Sequence, residues 1–174
     1  HSNGFSLARK IVFEHAGLSV DDHVDELGAT VGEELLRPTT IYAKAVRSVL
    51  AHYKVKNVVH AIAHVTGGGL RENVERVLPD GAQLQIFPAS WTAPPVFDWL
   101  RNLGDIDDDE MDRVFNMGLG LELVVSPYYV GSVQNMLAEA GHDCCVVGEI
   151  AQYSLRAPSR RRHHRGSRGR GCLR

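Results

Sequence analysis

Apolar residues recur along this chain with helical spacing in some segments and with strand-like alternation in others. The helical spacing predicts helices over residues 4–16, 33–36, 38–50, 70–77, 95–103, 108–115 and 128–140. Alternating or β-branched runs predict strands over residues 58–65, 82–87, 119–125 and 144–150. Because strands interleave with helices, the pattern indicates an α+β (α/β-like) domain whose β-sheet is covered by helices on at least one face.

Boundary residues accompany the first and third of these helices. The first helix should end at Gly17, and its candidate capping residues are Ser2, Asn3 and Ser6. The third should begin near Pro38 or Thr39, with Thr39 or Thr40 as its cap. Its apolar stripe is predicted to comprise Ile41, Ala45, Val49 and Leu50.

Three consecutive glycines connect a predicted strand directly to a predicted helix. Glycine lets the backbone approach a ligand closely, and the first turn of a helix offers unpaired N–H groups and the positive end of its dipole. Glu72 or Asn73 could orient a substrate beside them. Without the dinucleotide fingerprint or the lysine of a Walker loop, a tight turn that binds nothing is an equally open interpretation. The candidate phosphate cradle comprises Thr66, Gly67, Gly68 and Gly69.

Length and composition are those of one globular domain. The chain has 174 residues, of which 44% are hydrophobic and 23% charged. No apolar run approaches the roughly 18 residues that a membrane span requires, and no secretory leader is visible. Two of the three cysteines, Cys144 and Cys145, are adjacent and fall in a predicted buried strand as packing residues. A reducing, cytoplasmic location is therefore expected, and the absence of an initial Met leads us to expect a fragment.

Charge divides the chain into two parts. All 21 acidic residues lie within residues 1–150 with 11 of the 19 Lys and Arg, whereas residues 151–174 hold eight Arg and no acid. The second part has few apolar side chains to offset the entropy of ordering, so we predict a basic disordered tail after a domain of residues 1–150. A shifted reading frame or a gene truncation would account for that tail.

Five segments occur together in a characteristic order: HSNGFSLAR (1–9), LRPTTIY (36–42), HAIAHVTGGG (60–69), ENVERVLP (72–79) and FNMGLG (115–120). Through them the chain resembles, over about residues 1–150, the C-terminal domain of the phosphoribosylformylglycinamidine cyclo-ligase family, also called aminoimidazole ribonucleotide (AIR) synthases. One position departs from the family pattern. Thr40 stands where an arginine is common, which removes a planar charge able to hold phosphate or an acidic neighbour.

The resemblance implies a mixed β-sheet in this domain and a preceding N-terminal domain, missing here, that binds ATP and forms most of a homodimer interface. It implies an ATP-dependent ring closure in de novo purine biosynthesis, from formylglycinamidine ribonucleotide to aminoimidazole ribonucleotide. ATP and magnesium are the expected cofactors, and the fragment alone should be inactive. No membrane partner is expected.

The resemblance also places the first four residues at a cleft between the two domains. His1 is the expected catalytic residue for proton transfer, with Ser2, Asn3 and Gly4 contacting the substrate. From the residues alone, the same segment is an ordinary helix cap.

Two histidines stand four residues apart on a predicted strand and therefore share a face. We interpret His60 as hydrogen-bonded within the fold. His64 lies nearer the glycines and is the second candidate catalytic residue, able to present to an anion.

Asn116 lies between an acidic helix and a strand, where it is either a substrate contact or part of a core turn. The acidic run over residues 105–112 lacks the spacing of a calcium loop and is interpreted as helix capping. No metal site is predicted from the sequence.

Two other functions stay open. The chain could be a non-catalytic, phosphate-binding remnant of the enzyme. It could also bind nucleic acid through the Arg-rich tail, in which case binding would weaken steeply with added salt.

Overall fold

The computed structural model describes His1 and residues 3–152. Ser2, a predicted cap and substrate contact, and residues 153–174, which hold most of the predicted tail, lie outside this part. The helices are α1 (Phe5–Arg9, continued by a π-helical Lys10–His15), α2 (Val31–Leu35), α3 (Ala43–His52), α4 (Gly69–Glu75), α5 (Pro95–Gly104), α6 (Asp108–Val114) and α7 (Val130–Glu139). The strands are β1 (His23–Val24), β2 (Ala29–Thr30), β3 (Val59–His64), β4 (Ala82–Ile86), β5 (Leu121–Val125) and β6 (Gly148–Gln152).

The α+β class predicted from the pattern is confirmed, and the strand pairing differs from the expected single mixed sheet in one respect. The described strands pair as three two-stranded antiparallel ladders, β1–β2, β3–β5 and β4–β6. In a single sheet, α4 would connect β3 and β4 as parallel neighbours. Here β3 and β4 lie in different ladders, and α4 packs against both strands. The two ladders therefore meet through apolar side chains around Leu70 and Val74 rather than through backbone hydrogen bonds.

Three apolar clusters hold these elements together. Val12, Val31 and Met111 belong to the first, which joins α1 and its π-helical turn to α2, α5 and α6. The second fills the space between the β3–β5 and β4–β6 ladders and α4. The third packs α3 and α7 against β3 and β5 through Val49 and Val133.

Two predicted helix starts are corrected by the structure. Helix α1 is capped by Gly4 in the left-handed conformation, with no side-chain cap, because Gly4 lies against the ring of Phe115. Helix α3 begins at Ala43 rather than near Pro38, with Tyr42 at its N-cap. Its buried stripe is limited to Ala45 and Val49, of which Val49 packs with Val133 of α7, whereas Ile41 and Leu50 are exposed.

The predicted strand over residues 144–150 begins later than expected, at Gly148. The reason is its partner, because the last pair of the β4–β6 ladder joins Ile86 to Gly148. Cys144 and Cys145 consequently lie in the preceding loop, and both are exposed rather than buried in a strand.

Other boundaries agree with the sequence. A reciprocal capping box between Thr30 and Glu33 starts α2, and Gly141 follows α7 with a positive φ of 84°. Over the residues described, no helix is both long enough and apolar enough to cross a lipid bilayer.

We predict that Met111→Ala lowers the free energy of unfolding by about 2 to 5 kcal/mol, because Met111 is 1% exposed and its loss leaves a cavity in the first cluster. Leu36→Ala is the control, because Leu36 is 81% exposed and should change stability by less than about 0.5 kcal/mol. Urea denaturation of both variants measures the difference, and equal stabilities would contradict this account of the core.

Candidate functional site

Residues 112–120, from the end of α6 to the start of β5, are the segment around which the predicted site residues gather. Gly4 lies against the ring of Phe115, and His1 lies over Gly120. Gly69 sits against the carbonyl group of Asp112, and a Cβ atom at any of these glycines would overlap its neighbour. The N-terminal segment and the glycine loop, far apart in sequence, therefore border the same stretch of backbone.

Asn116 forms the turn in the middle of this segment and is 5% exposed. Its Oδ1 accepts a hydrogen bond from the backbone N–H of Gly118 at 3.1 Å, and its backbone carbonyl accepts one from Leu119 at 2.8 Å. The turn also needs two positive φ angles, 49° at Met117 and 92° at Gly118. Asn116 is therefore both a turn residue and a candidate ligand contact, because only one end of its amide is used.

Two buried amide donors have no acceptor among the described residues. They are Nδ2 of Asn116 and Nδ2 of Asn3. A buried donor without an acceptor costs about 1 to 3 kcal/mol, so native proteins rarely keep one without a reason. Both belong to the neighbouring segments 1–4 and 115–120, where a ligand with acceptor oxygens would satisfy them.

The glycine loop is largely occupied by its own hydrogen bonds. Asn73, 4% exposed, donates through Nδ2 to the carbonyls of Thr66, Gly67 and Gly69, and its Oδ1 accepts from the hydroxyl of Thr66. The N–H of Gly68 donates to the carbonyl of Arg113 at 2.9 Å, and that of Gly69 to Thr66 at 3.1 Å. Asn73 thus fixes the loop, and two of the three glycine N–H groups are not free for an anion.

Two further features of the loop bear on phosphate binding. The carboxylate of Glu72 lies beside Gly68, at the start of α4, where it complements the helix dipole. Its negative charge there opposes a phosphate. Gly67 is the open position, since a Cβ atom there would meet nothing within 4 Å.

His1 and Tyr42 form a pair above Gly120. The hydroxyl of Tyr42 and Nε2 of His1 are hydrogen-bonded, and their ring centroids lie 5.4 Å apart. The ring of His142 lies on Tyr42 as well, at 5.6 Å. Burial raises the pKa of Tyr42 above its usual value, and nearby Glu122 raises it further, so the phenol keeps its proton.

Glu122 is a carboxylic acid in an otherwise apolar strand, β5. It pairs in register with Ala63, which is buried, so its side chain shares that face of the ladder. Burial raises the pKa of Glu122 to about 7. The carboxyl therefore changes charge near neutral pH, next to Tyr42.

The two strand histidines have different surroundings. Nε2 of His60 is hydrogen-bonded to Oγ of Ser126 at 2.7 Å, which agrees with its structural interpretation. His64 is exposed and pairs in register with Leu121, one residue beyond Gly120. Alternation puts it on the opposite face from Glu122. It makes no hydrogen bond or ring contact within residues 1 and 3–152, and its catalytic role stays a prediction.

The acidic run behaves as helix capping. Asp107 caps α6 by accepting from the N–H of Glu110 at 2.8 Å, while Asp108 pairs with Arg101 and Glu110 with Arg113. Across the described residues, no group of three His, Cys, Asp or Glu is arranged to hold a metal ion.

Three site residues had not been singled out from the sequence: Tyr42, Glu122 and His142. Glu122 carried a usable signal, since it is the sole charged residue in the apolar run over residues 119–125. Tyr42 lay within a family-like segment but had no role assigned to it. His142 joins the site only because the loop after α7 folds back onto Tyr42.

Comparison with known proteins identifies the family to which the chain is similar. Residues 1–154 match the family described as AIR synthase related protein, C-terminal domain. The chain is 47% identical over 152 residues to a phosphoribosylformylglycinamidine cyclo-ligase of Geobacillus kaustophilus (strain HTA426), covering 87% of this chain and 43% of that protein. A protein of the same description from Alkaliphilus metalliredigens (strain QYMF) is 46% identical over 154 residues, covering 88% and 43%. The chain thus spans less than half the length of these relatives.

We predict that Gly69→Ala lowers the free energy of unfolding by about 3 kcal/mol or more, because the added methyl group meets the Asp112 carbonyl and φ is +64°. Gly67→Ala is the matched control, because Gly67 lies two residues earlier in the same loop and a Cβ atom there would meet nothing within 4 Å. It should cost less than about 1 kcal/mol. Thermal denaturation compares the two, and similar losses would refute the proposed packing of Gly69 on α6.

We predict that Glu122→Gln stabilises the fold at pH 8 but not at pH 4. Because the folded pKa is raised from 4.5 to about 7, the native state binds more protons than the unfolded chain in that window, and stability falls as pH rises through it. Glutamine lacks this penalty, so the gain should reach up to about 3 kcal/mol above pH 7. Urea denaturation at both pH values tests this, and an equal effect at both would overturn it.

Proposed function

The chain belongs to the AIR synthase related family, to whose C-terminal domain it corresponds, and we propose that it is the C-terminal part of an ATP-dependent cyclo-ligase that converts formylglycinamidine ribonucleotide to aminoimidazole ribonucleotide. The observation that carries this proposal is that Asn3 and Asn116 each keep a buried, unpaired amide donor, in the two segments that meet where Gly4 lies against Phe115 and His1 lies over Gly120. Donors of this kind suit the phosphate or amide oxygens of such a substrate.

The reaction requires activation of an amide oxygen, which is a poor leaving group. ATP would phosphorylate the formyl oxygen, the neighbouring nitrogen would attack that carbon, and phosphate would leave. Within this chemistry His1 would act as a general acid, donating from an imidazole N–H to the substrate oxygen that is activated. Asn3, Asn116 and the open Gly67 would hold substrate oxygens in place, so that positioning supplies much of the acceleration.

ATP and magnesium belong to the same proposal. A cavity of about 310 Å³, open to solvent, lies at the turn between α3 and β3 and is lined by none of the candidate site residues. No metal-ligating group of three side chains is found among the residues that the structure describes. We propose that an N-terminal domain of the longer enzyme supplies most of the nucleotide- and metal-binding groups.

The organisation of the whole protein follows from the same reasoning. We propose that residues 1–150 are the substrate-side domain of a longer protein whose N-terminal domain binds ATP and forms a homodimer. The coverage of only 43% of relatives supports a second domain. A cytoplasmic setting is part of this proposal, supported by the exposed free thiols of Cys144 and Cys145.

The test joins this chain to the N-terminal part of a relative, by fusion, and follows ADP release with and without formylglycinamidine ribonucleotide. We expect substrate-dependent turnover that falls by about 100-fold or more in His1→Gln, because general acid–base catalysis contributes about 10² to 10⁴. His15→Gln is the control, because His15 is exposed at the end of the π-helical turn and should leave turnover unchanged.

Absence of turnover from a folded fusion that binds ATP would contradict the proposal. It would indicate instead the non-catalytic phosphate-binding remnant that the sequence left open. Equal turnover in His1→Gln and the parent fusion would keep the enzyme but remove His1 from its chemistry.

A further inference from the structure

Among the described residues, the hydroxyl of Tyr42 is the hydrogen-bond partner of the His1 imidazole. The hydrogen bond joins it to Nε2, and the tilted ring contact at 5.4 Å limits rotation of the imidazole. Beneath both groups lies Gly120, whose missing side chain leaves the room they occupy. The backbone of Gly120 is itself held in place, because its carbonyl accepts a hydrogen bond from the N–H of Val65 at 3.0 Å.

The direction of the hydrogen bond follows from the chemistry of its two groups. A phenol hydroxyl is a strong donor and the unprotonated nitrogen of a neutral imidazole is a strong acceptor, so the favourable arrangement has the Tyr42 hydroxyl donating to Nε2 of His1. Burial, and then the nearby Glu122 carboxyl, raise the pKa of Tyr42, so the phenol keeps the proton that it donates.

A neutral imidazole that accepts at Nε2 must carry its proton on Nδ1. We propose that Tyr42 is a positioning residue for His1: it donates to Nε2, holds the ring above Gly120, and so leaves the Nδ1–H as the group available to substrate. The inference rests on the proposed function for its catalytic meaning, whereas the geometry and the tautomer can be tested without any activity.

The first test uses the chain itself, labelled with ¹⁵N at its nine histidines, and records long-range ¹H–¹⁵N correlations of the imidazoles at pH 8. His1→Gln identifies the His1 signals by their disappearance. We expect the neutral His1 ring of the parent chain to show Nδ1 protonated and Nε2 unprotonated. In Tyr42→Phe the population should move toward the Nε2–H form, because the hydroxyl that donates to Nε2 is lost.

Tyr53→Phe is the matched control, because it also removes one tyrosine hydroxyl hydrogen bond, the one to Oγ of Ser132 at 2.7 Å. The ring of Tyr53 contacts His52 edge-on at 4.7 Å, so this variant has its own reporter histidine. We expect Tyr53→Phe to shift His52 and leave His1 unchanged, and Tyr42→Phe to do the reverse. Circular dichroism and thermal denaturation verify that both variants fold.

An Nε2-protonated His1 in the parent chain, or His1 signals that are the same in Tyr42→Phe, would overturn the proposal. The fusion enzyme then supplies the catalytic readout. We expect Tyr42→Phe to lower kcat by roughly 10-fold with little change in KM, a part of the acid–base contribution, whereas Tyr53→Phe changes neither. If the tautomer shifts but the parent fusion shows no turnover, the positioning role stands and the proposed function fails.

Discussion

The candidate site depends on close backbone packing along residues 112–120. Four glycines meet this segment or belong to it, and each lacks the atoms that would collide: Gly4 against Phe115, Gly69 against Asp112, Gly118 against Pro94 and Gly120 beneath His1 and Tyr42. Such contacts are short-range and steric, so a single methyl group is enough to separate the partners. This packing brings the N-terminal segment and the glycine loop to one place, which neither could reach by its own local structure.

The same region carries groups that stability alone would not retain. The amides of Asn3 and Asn116 are buried without acceptors, and Glu122 is a carboxyl whose burial raises its pKa to about 7. Each costs free energy, since buried polar groups are normally paired. Outside this region, Ser90 also keeps a buried hydroxyl without a partner among the described residues, whereas the capping box of α2 and the ion pairs of α6 are ordinary pairings. A local departure of this kind is expected where a protein binds or transforms a ligand.

The glycine loop shows how one sequence pattern can serve two purposes. Its composition suggested an anion site, yet the side chain of Asn73 and the carbonyls of α6 take up most of its hydrogen-bonding groups. Both Gly68 and Gly69 have positive φ angles, and Gly69 lies against the backbone of α6. These structural requirements explain the two glycines without a bound anion. The loop thus helps to build the site, while the unpaired donors lie on the neighbouring asparagines.

Local periodicity predicted most of the helices and the strands β3 to β6, because apolar spacing reports which face of a helix or strand is buried. It missed the β1–β2 ladder, whose two-residue strands are too short to show a period. Boundaries set by distant partners were beyond it: β6 begins where Ile86 ends the ladder, and α3 begins at Ala43, after Tyr42. The motifs likewise named His1, Asn3, Gly4 and Asn116. Only the tertiary structure decided that Tyr42, Glu122 and His142 join them, because those contacts span the chain and depend on how its segments pack, which no local pattern encodes.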